Sequence, residues 1–221
     1  PAGLGAVYER ALTSVPSLLS TPGYLPDGLP VLTERLADRL SAQGLPTSPE
    51  QLLITSGAQS ALRTVARWAL RRGDRVLVEG LVYPHLIDVL RDAGARTSAL
   101  PHGATPWDLD AVASRLRGDT HRAAFLTVDF HNPTGALLSG PDRETVAALL
   151  RRHRVRTVVD ETVREVVLDD TVMPPSFAHY DSSAIVVGSA AKSVWGGLRI
   201  GWIRTPLEHR QGLIQARMAH D

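Results

Sequence analysis

A chain of 221 residues, 43% hydrophobic, is long enough to bury a large core as one domain, or as a domain with an arm. Its formal net charge of +1 supplies no overall field that would favour nucleic acid. The absence of cysteine excludes disulfides and thiolate metal sites, and nothing resembles a signal peptide or the ~20-residue apolar run of a membrane helix, so the expected compartment is the cytoplasm.

In chain order, residues 1–30 form an N-terminal helix and an extended arm, the arm set by the Pro- and Gly-rich LLSTPGYLPDGLP (18–30). LLIT (52–55) runs into Ser56 and Gly57, and a helix follows at about 58–72. RVLVE (75–79) reads as a strand, 84–94 as a helix, ARTSAL (95–100) as a weak strand and 108–117 as a helix. HRAAFLTV (121–128) is a strand, and Pro141 opens a helix to about 153. The basic patches Arg71–Arg72 and RRHRVR (151–156) read as solvated helix ends. VRTVVD (155–160) is a buried strand, which REVVL (164–168) extends or pairs with nearby. SAIVVGS (183–189) and LRIGWIR (198–204) are strands, and 207–219 is a closing helix. This alternation predicts an α/β fold, a three-layer αβα sandwich around a mainly parallel, mixed sheet of about seven strands.

In such sheets ligands bind beyond the carboxyl ends of the strands. Five predicted strand ends carry chemistry there. Ser56, Gly57, Ala58 and Gln59 open a helix; they either cap it or offer free N–H groups to a phosphate. Tyr83 follows RVLVE and is either core or rim; its ring alone favours core. HNPTG (131–135) is an ordinary turn sequence, with Asn132 biased to an extended or turn conformation by Pro133. Asp160 ends an apolar run, where a lone carboxylate is costly; it is a cap, a partner for arginine, or a partner for a cation such as a protonated pyridine nitrogen. Lys192 stands against 23 arginines as the one lysine, cramped among Gly188, Ser189, Ala190, Ala191 and Ser193. It is either a loop lysine on the surface or an amine that loses its proton near cations, attacks an aldehyde and forms a Schiff base. Ser189 and Arg199 flank it, and a hydroxyl and an arginine fork would complete a phosphate cup.

These pieces together resemble the large domain of fold-type I, pyridoxal-phosphate-dependent aminotransferases of class I/II. The resemblance rests on GYLPDGLPVL (23–32), TSGAQSAL (55–62), VEGLVYP (78–84), HNPTG (131–135), VVDE (158–161) and GSAAKSVWGGLRIGW (188–202), in the family's order. TSGAQSAL, DFHNPTG and WGGLRIGW bring it nearest to the aminotransferase-like domain of MocR-type regulators in the GntR group. The resemblance implies pyridoxal 5'-phosphate as cofactor, held by Lys192 as a Schiff base, with Lys192 also moving the substrate's α-proton. It implies that Asp160 pairs with the pyridine N–H, Asn132 with the phenolic oxygen, and that Tyr83 stacks on the ring. Ser56, Gly57, Ala58, Gln59, Ser189 and Arg199 would hold the phosphate. Tyr24 would reach the phosphate of a neighbouring subunit, which implies a homodimer with a shared site. The implied substrates are an amino acid or amine and a keto acid; the implied alternative is an effector-sensing domain without turnover, with any DNA contact made by a segment outside this chain.

The sequence departs from the family pattern at two positions. Val163 stands where most members have tyrosine, three residues after the aspartate, which predicts a raised pKa for the cofactor's imine. Leu81 replaces a proline two residues before Tyr83. The large domain would span 31–221, without the family's small C-terminal domain or the winged helix of the regulators, so the chain is expected to be a fragment or to work without those parts.

Overall fold

The computed structural model describes residues 3–101 and 107–219; the outer ends of the expected arm (1–30) and large domain (31–221), and 102–106, lie outside the described residues. Seven strands form one mixed sheet among the described residues: β1 (Leu52–Thr55), β2 (Arg75–Val78), β3 (Arg96–Ala99), β4 (Ala123–Leu126), β5 (Arg156–Asp160), β6 (Ile185–Ser189) and β7 (Gly201–Arg204). Their order is β1-β7-β6-β5-β4-β2-β3. Of these seven, only β7 runs against its neighbours, pairing antiparallel with both β1 and β6. The expected αβα architecture and strand number are those observed.

Alternation along the strands builds the two cores. Val76, Val78, Phe125 and Val158 face one side, under α4 (Ala58–Ala69), α5 (Pro84–Asp92) and α9 (Leu207–Met218). Leu77, Leu126 and Val159 face the other, under α6 (Leu109–Gly118), α7 (Gly140–Arg152) and the single turn α8 (Phe177–Tyr180). α4 shows why the sequence chooses this arrangement. Ala61, Leu62, Val65, Ala66 and Ala69 recur at helical spacing and are all buried, while Arg63 and Arg67 face solvent. Burying a leucine such as Leu62 stabilises by about 1.5–3 kcal/mol.

N-terminal to the sheet lie α1 (Leu4–Leu12), α2 (Val15–Leu18) and α3 (Pro30–Ala42). α1 and α2 bury nothing, whereas α3 packs Leu36 and Ala37 against Leu52. The sequence analysis left α3 unassigned, although Pro30 at its start and apolar residues at 32, 36, 37 and 40 carry the helical signature.

Three expectations need correction. REVVL (164–168) is no strand: after Asp160 the chain turns back on itself, Arg164 N donating to Glu161 O and Val166 N to Val163 O, and Leu168 lies exposed. The strand expected from residue 198 begins at Gly201, because Gly196–Leu198 is a 3₁₀ turn and Arg199 is left-handed at φ 52°. Arg156, expected as part of a solvated helix end, opens β5 instead, half-buried with its guanidinium 4.4 Å above the Trp68 ring.

Candidate active site

The antiparallel insertion of β7 aligns the strand ends. Thr55, the last residue of β1, pairs with Gly201, the first of β7, and Gly201 pairs with Ser189, the last of β6. β5, β4 and β2 run parallel to β6, so Asp160, Thr127 and Glu79 finish at the same edge.

At one end of this edge the turn from β1 into α4 is built around two glycines. Gly57 has φ 89°, and a Cβ there would lie 2.8 Å from Arg199 Nη2. A Cβ on Gly201 would lie 2.4 Å from the carbonyl carbon of Gly57 and 2.7 Å from Ala58 N. Both positions therefore need glycine, one for its dihedral and one for close backbone approach. Gly57 is the N-cap, and no side chain caps α4, so its leading N–H groups keep their capacity for an anion. Arg199 folds back over them, Nη2 donating to Ser56 O at 3.1 Å. Ser56, Gln59 and Arg199 line one cleft of about 200 Å³. Ser189 is buried beside them, but its hydroxyl is engaged: it donates to Ile200 O and accepts from Ala191 N, both at 3.1 Å.

The second half of the edge is a narrow crevice. Tyr83 and Asp160 line it together, over Phe125 and Val158. Tyr83 is 41% exposed, so it is rim rather than core. Asp160 Oδ1 accepts from Thr162 N at 2.9 Å, and among the described residues no salt bridge reaches it. Burial pushes its carboxyl above the ordinary range, against the Thr162 hydrogen bond, and the charge of Asp129 adds to the rise.

Lys192 lies exposed in the turn between β6 and the 3₁₀ turn, closed by Ala190 N to Ile200 O (3.0 Å) and Val194 N to Ala190 O (2.9 Å). Next to it, Ser193 hydrogen-bonds Glu165, which also accepts from Arg39 Nη2 at 2.6 Å and Gln43 Nε2 at 3.2 Å. Burial pushes Glu165 up, but the bonds from Gln43, Ser193 and Arg39 outweigh it and hold the group below its usual value. Asn132 is exposed in the turn after β4, followed by a cis bond to Pro133. Tyr24, 88% exposed on the arm, Asn132 and Lys192 line neither cleft.

Two groups escaped the sequence analysis. Glu79 is buried, and its Oε1 accepts from Thr127 N at 2.6 Å and Trp107 Nε1 at 3.2 Å while Oε2 has no partner. Burial raises its pKa to about 7, against the hydrogen bonds, with a further push from Asp160. Its signal was available: like Asp160, it is a carboxylate ending an apolar run. Behind the edge, Asp129 is buried between Arg143, which is also wholly buried, and Arg164 at 3.2 Å. No local pattern marks that cluster.

The sequence profile of the family Aminotransferase class I and II matches residues 21–218. The chain is 32% identical over 185 residues to a 2-aminoadipate transaminase of Thermus thermophilus, covering 81% of this chain and 46% of that protein. It is 31% identical over 223 residues to the HTH-type transcriptional regulator YdfD of Bacillus subtilis, covering 98% of this chain and 45% of the regulator. The crystal structure of LysN, an α-aminoadipate aminotransferase of Thermus thermophilus complexed with N-(5'-phosphopyridoxyl)-L-leucine, superposes with a TM-score of 0.83 at 28% identity, over 97% of this chain and 56% of its own. An archaeal alanine:glyoxylate aminotransferase superposes with a TM-score of 0.90 at 24% identity, over 100% of this chain and 56% of its own, a likeness of fold. The chain thus spans less than half the length of the curated relatives it matches.

Proposed function

This chain belongs to the class I and II aminotransferase family, and from that premise we propose that it is the cofactor-binding part of an enzyme that transfers the amino group of an amino acid or amine to a keto acid. The family's cofactor is pyridoxal 5'-phosphate, and the residues present fit it. The observation that carries the reading is Asp160: a buried carboxyl at a strand end, unreached by any salt bridge among the described residues, opposite the Tyr83 ring. Such a group is stabilised by a cation brought from outside, and a protonated pyridine nitrogen is that cation. The uncapped start of α4, with Ser56, Gly57, Ala58, Gln59 and the Arg199 guanidinium, suits a dianionic phosphate.

When bound, pyridoxal phosphate supplies an aldehyde and an electron-withdrawing ring that acidifies the α-hydrogen of an attached amine. Lys192 would hold the group through its amine and would serve as the base and acid that moves the substrate's α-proton. Asp160 would keep the ring nitrogen protonated. Asn132 would donate to the phenolic oxygen, Tyr83 would cover the ring face, and Ser189 would join the residues that hold the phosphate. Tyr24, on an arm that buries none of its two helices, completes the site of a second copy in a homodimer. No helix among the described residues is long and apolar enough to cross a membrane.

Addition of pyridoxal phosphate to the protein is expected to give a visible band absent from Lys192→Ala. Borohydride reduction should then fix the cofactor on the peptide containing Lys192; a label elsewhere, or a variant as coloured as the parent, overturns the assignment. A second reading is favoured by the similarity to HTH-type regulators: the same site senses an effector without turnover. A panel of amino acids separates the two. Release of keto acid marks the transferase, whereas a shifted band with no keto acid marks the sensor.

A further inference from the structure

The loop that carries Tyr83 and the turn that carries Asn132 come from different parts of the chain, and one side chain joins them. His131 is 1% exposed. Its Nε2 lies 2.8 Å from Leu81 O, two residues before Tyr83. Its Nδ1 lies 2.8 Å from Thr134 Oγ1, within the turn that carries Asn132. The backbone of the same residue closes that turn, His131 N donating to Ala136 O at 2.7 Å and Gly135 N donating to His131 O at 2.6 Å. The Trp107 ring stands edge-on to the imidazole at 5.5 Å, and Trp107 Nε1 is in turn held by Glu79 Oε1 at 3.2 Å. The imidazole therefore sits in a closed frame rather than a loose pocket.

We propose that His131 is a positioning residue that sets Tyr83 and Asn132 relative to one another. The chemistry of its partners fixes one proton. A carbonyl oxygen only accepts, so Nε2 must carry the proton shared with Leu81 O; in the neutral ring Nδ1 then accepts from the Thr134 hydroxyl. Each nitrogen thus holds one loop. Loss of the ring's hydrogen bonds frees the Leu81–Tyr83 loop and the Asn132 turn to move independently, while the strands beneath, packed through Phe125 and Val158, stay in place. The proposal rests on the reading of Tyr83 and Asn132 as cofactor-facing residues only for its consequence; the coupling itself is a property of the chain.

The test compares His131→Phe, which keeps a ring and loses both bonds, with His131→Gln, whose amide can donate to Leu81 O and accept from Thr134 Oγ1. Thr134→Val, which removes one bond, serves if the phenylalanine variant does not fold. In the cofactor-free protein, amide hydrogen exchange at Leu86, Gly135 and Ala136, each hydrogen-bonded within its loop, should quicken together by about tenfold in His131→Phe, the order expected for one lost hydrogen bond, and return towards the parent rate in His131→Gln. Exchange unchanged at both loops, or quickened across the whole sheet, overturns the proposal. With pyridoxal phosphate added, His131→Phe should shift the pH midpoint of the visible band in the same direction as Asn132→Ala. A parent midpoint in His131→Phe beside a shifted one in Asn132→Ala also overturns it. A protein that shows the coupled exchange but never forms a band upholds the role of His131 and defeats the cofactor reading instead.

Discussion

Of the two strands that flank β4, β2 is followed directly by Glu79 and β5 ends on Asp160, and burial raises the pKa of both. For Glu79 the rise is from 4.5 to about 7. Below pH 4.5 the carboxyl is protonated folded or unfolded. As pH climbs to about 7 the unfolded chain gives up a proton that the folded chain keeps, so the stability this group contributes in acid is lost across that window and stays lost above it. The full loss is about 3 kcal/mol, at 1.36 kcal/mol per unit. Glu79→Gln keeps the acceptor for Thr127 N and Trp107 and cannot ionise. Urea unfolding at pH 5 and pH 8 should therefore show a fall in the parent larger by about that amount than in the variant; equal falls would place the proton elsewhere. Val163, half-buried in the turn after β5, bears on the cofactor rather than on stability. Val163→Tyr adds a phenol where most of the family has one, and the pH midpoint of the visible band should drop; an unmoved midpoint removes Val163 from the account.

At the scale of elements, the loop between β6 and β7 depends on one missing side chain. Gly201→Ala would drive a methyl into the backbone of Gly57 and Ala58, which has no rotamer to yield. The variant should lose about 1–3 kcal/mol in denaturant unfolding and retain the cofactor less well on dialysis, because β7 or the start of α4 must move. Parent-like values in both measurements would mean that the close approach relaxes freely. The same elements show what local pattern reveals and what it hides. RVLV, RTVVD and IVVGS are apolar runs closed by charge or small residues, and each is a strand. REVVL looks similar and is none, because a strand also needs a neighbour. The chain reverses at Thr162–Glu165 before those valines can reach one. The position of Asp160 at the end of β5, and of residues 56–59 between β1 and α4, was legible because each closes an apolar run. His131 was not: its purpose lies in a carbonyl 50 residues earlier, a distance that only the folded chain closes.

For the whole molecule, the arm is the part without a floor. Leu12 is 66% exposed, Leu19 78% and Tyr24 88%, and α1 and α2 bury no residue. Apolar groups in such number require cover from another surface. Self-association is the expected outcome, and the pair Leu12→Glu and Leu19→Glu should lower the sedimenting mass together with cofactor retention, since Tyr24 would leave its neighbour's site. Unchanged mass would deny the arm that role. The sheet order has a further consequence, in time rather than space. Among the described residues β1 lies outermost and pairs with β7 alone. A ribosome adding ~5–20 residues per second takes roughly 7–30 s to pass from LLIT to its partner strand. Through that interval the nascent chain carries an unpaired, largely apolar strand, with Ser56 and Gly57 behind it and Arg199 not yet made. The cleft lined by Ser56, Gln59 and Arg199 is thus completed only once Arg199 is made, well over a hundred residues after its first wall, and LLIT is a stretch on which a ribosome-bound chaperone would have work to do.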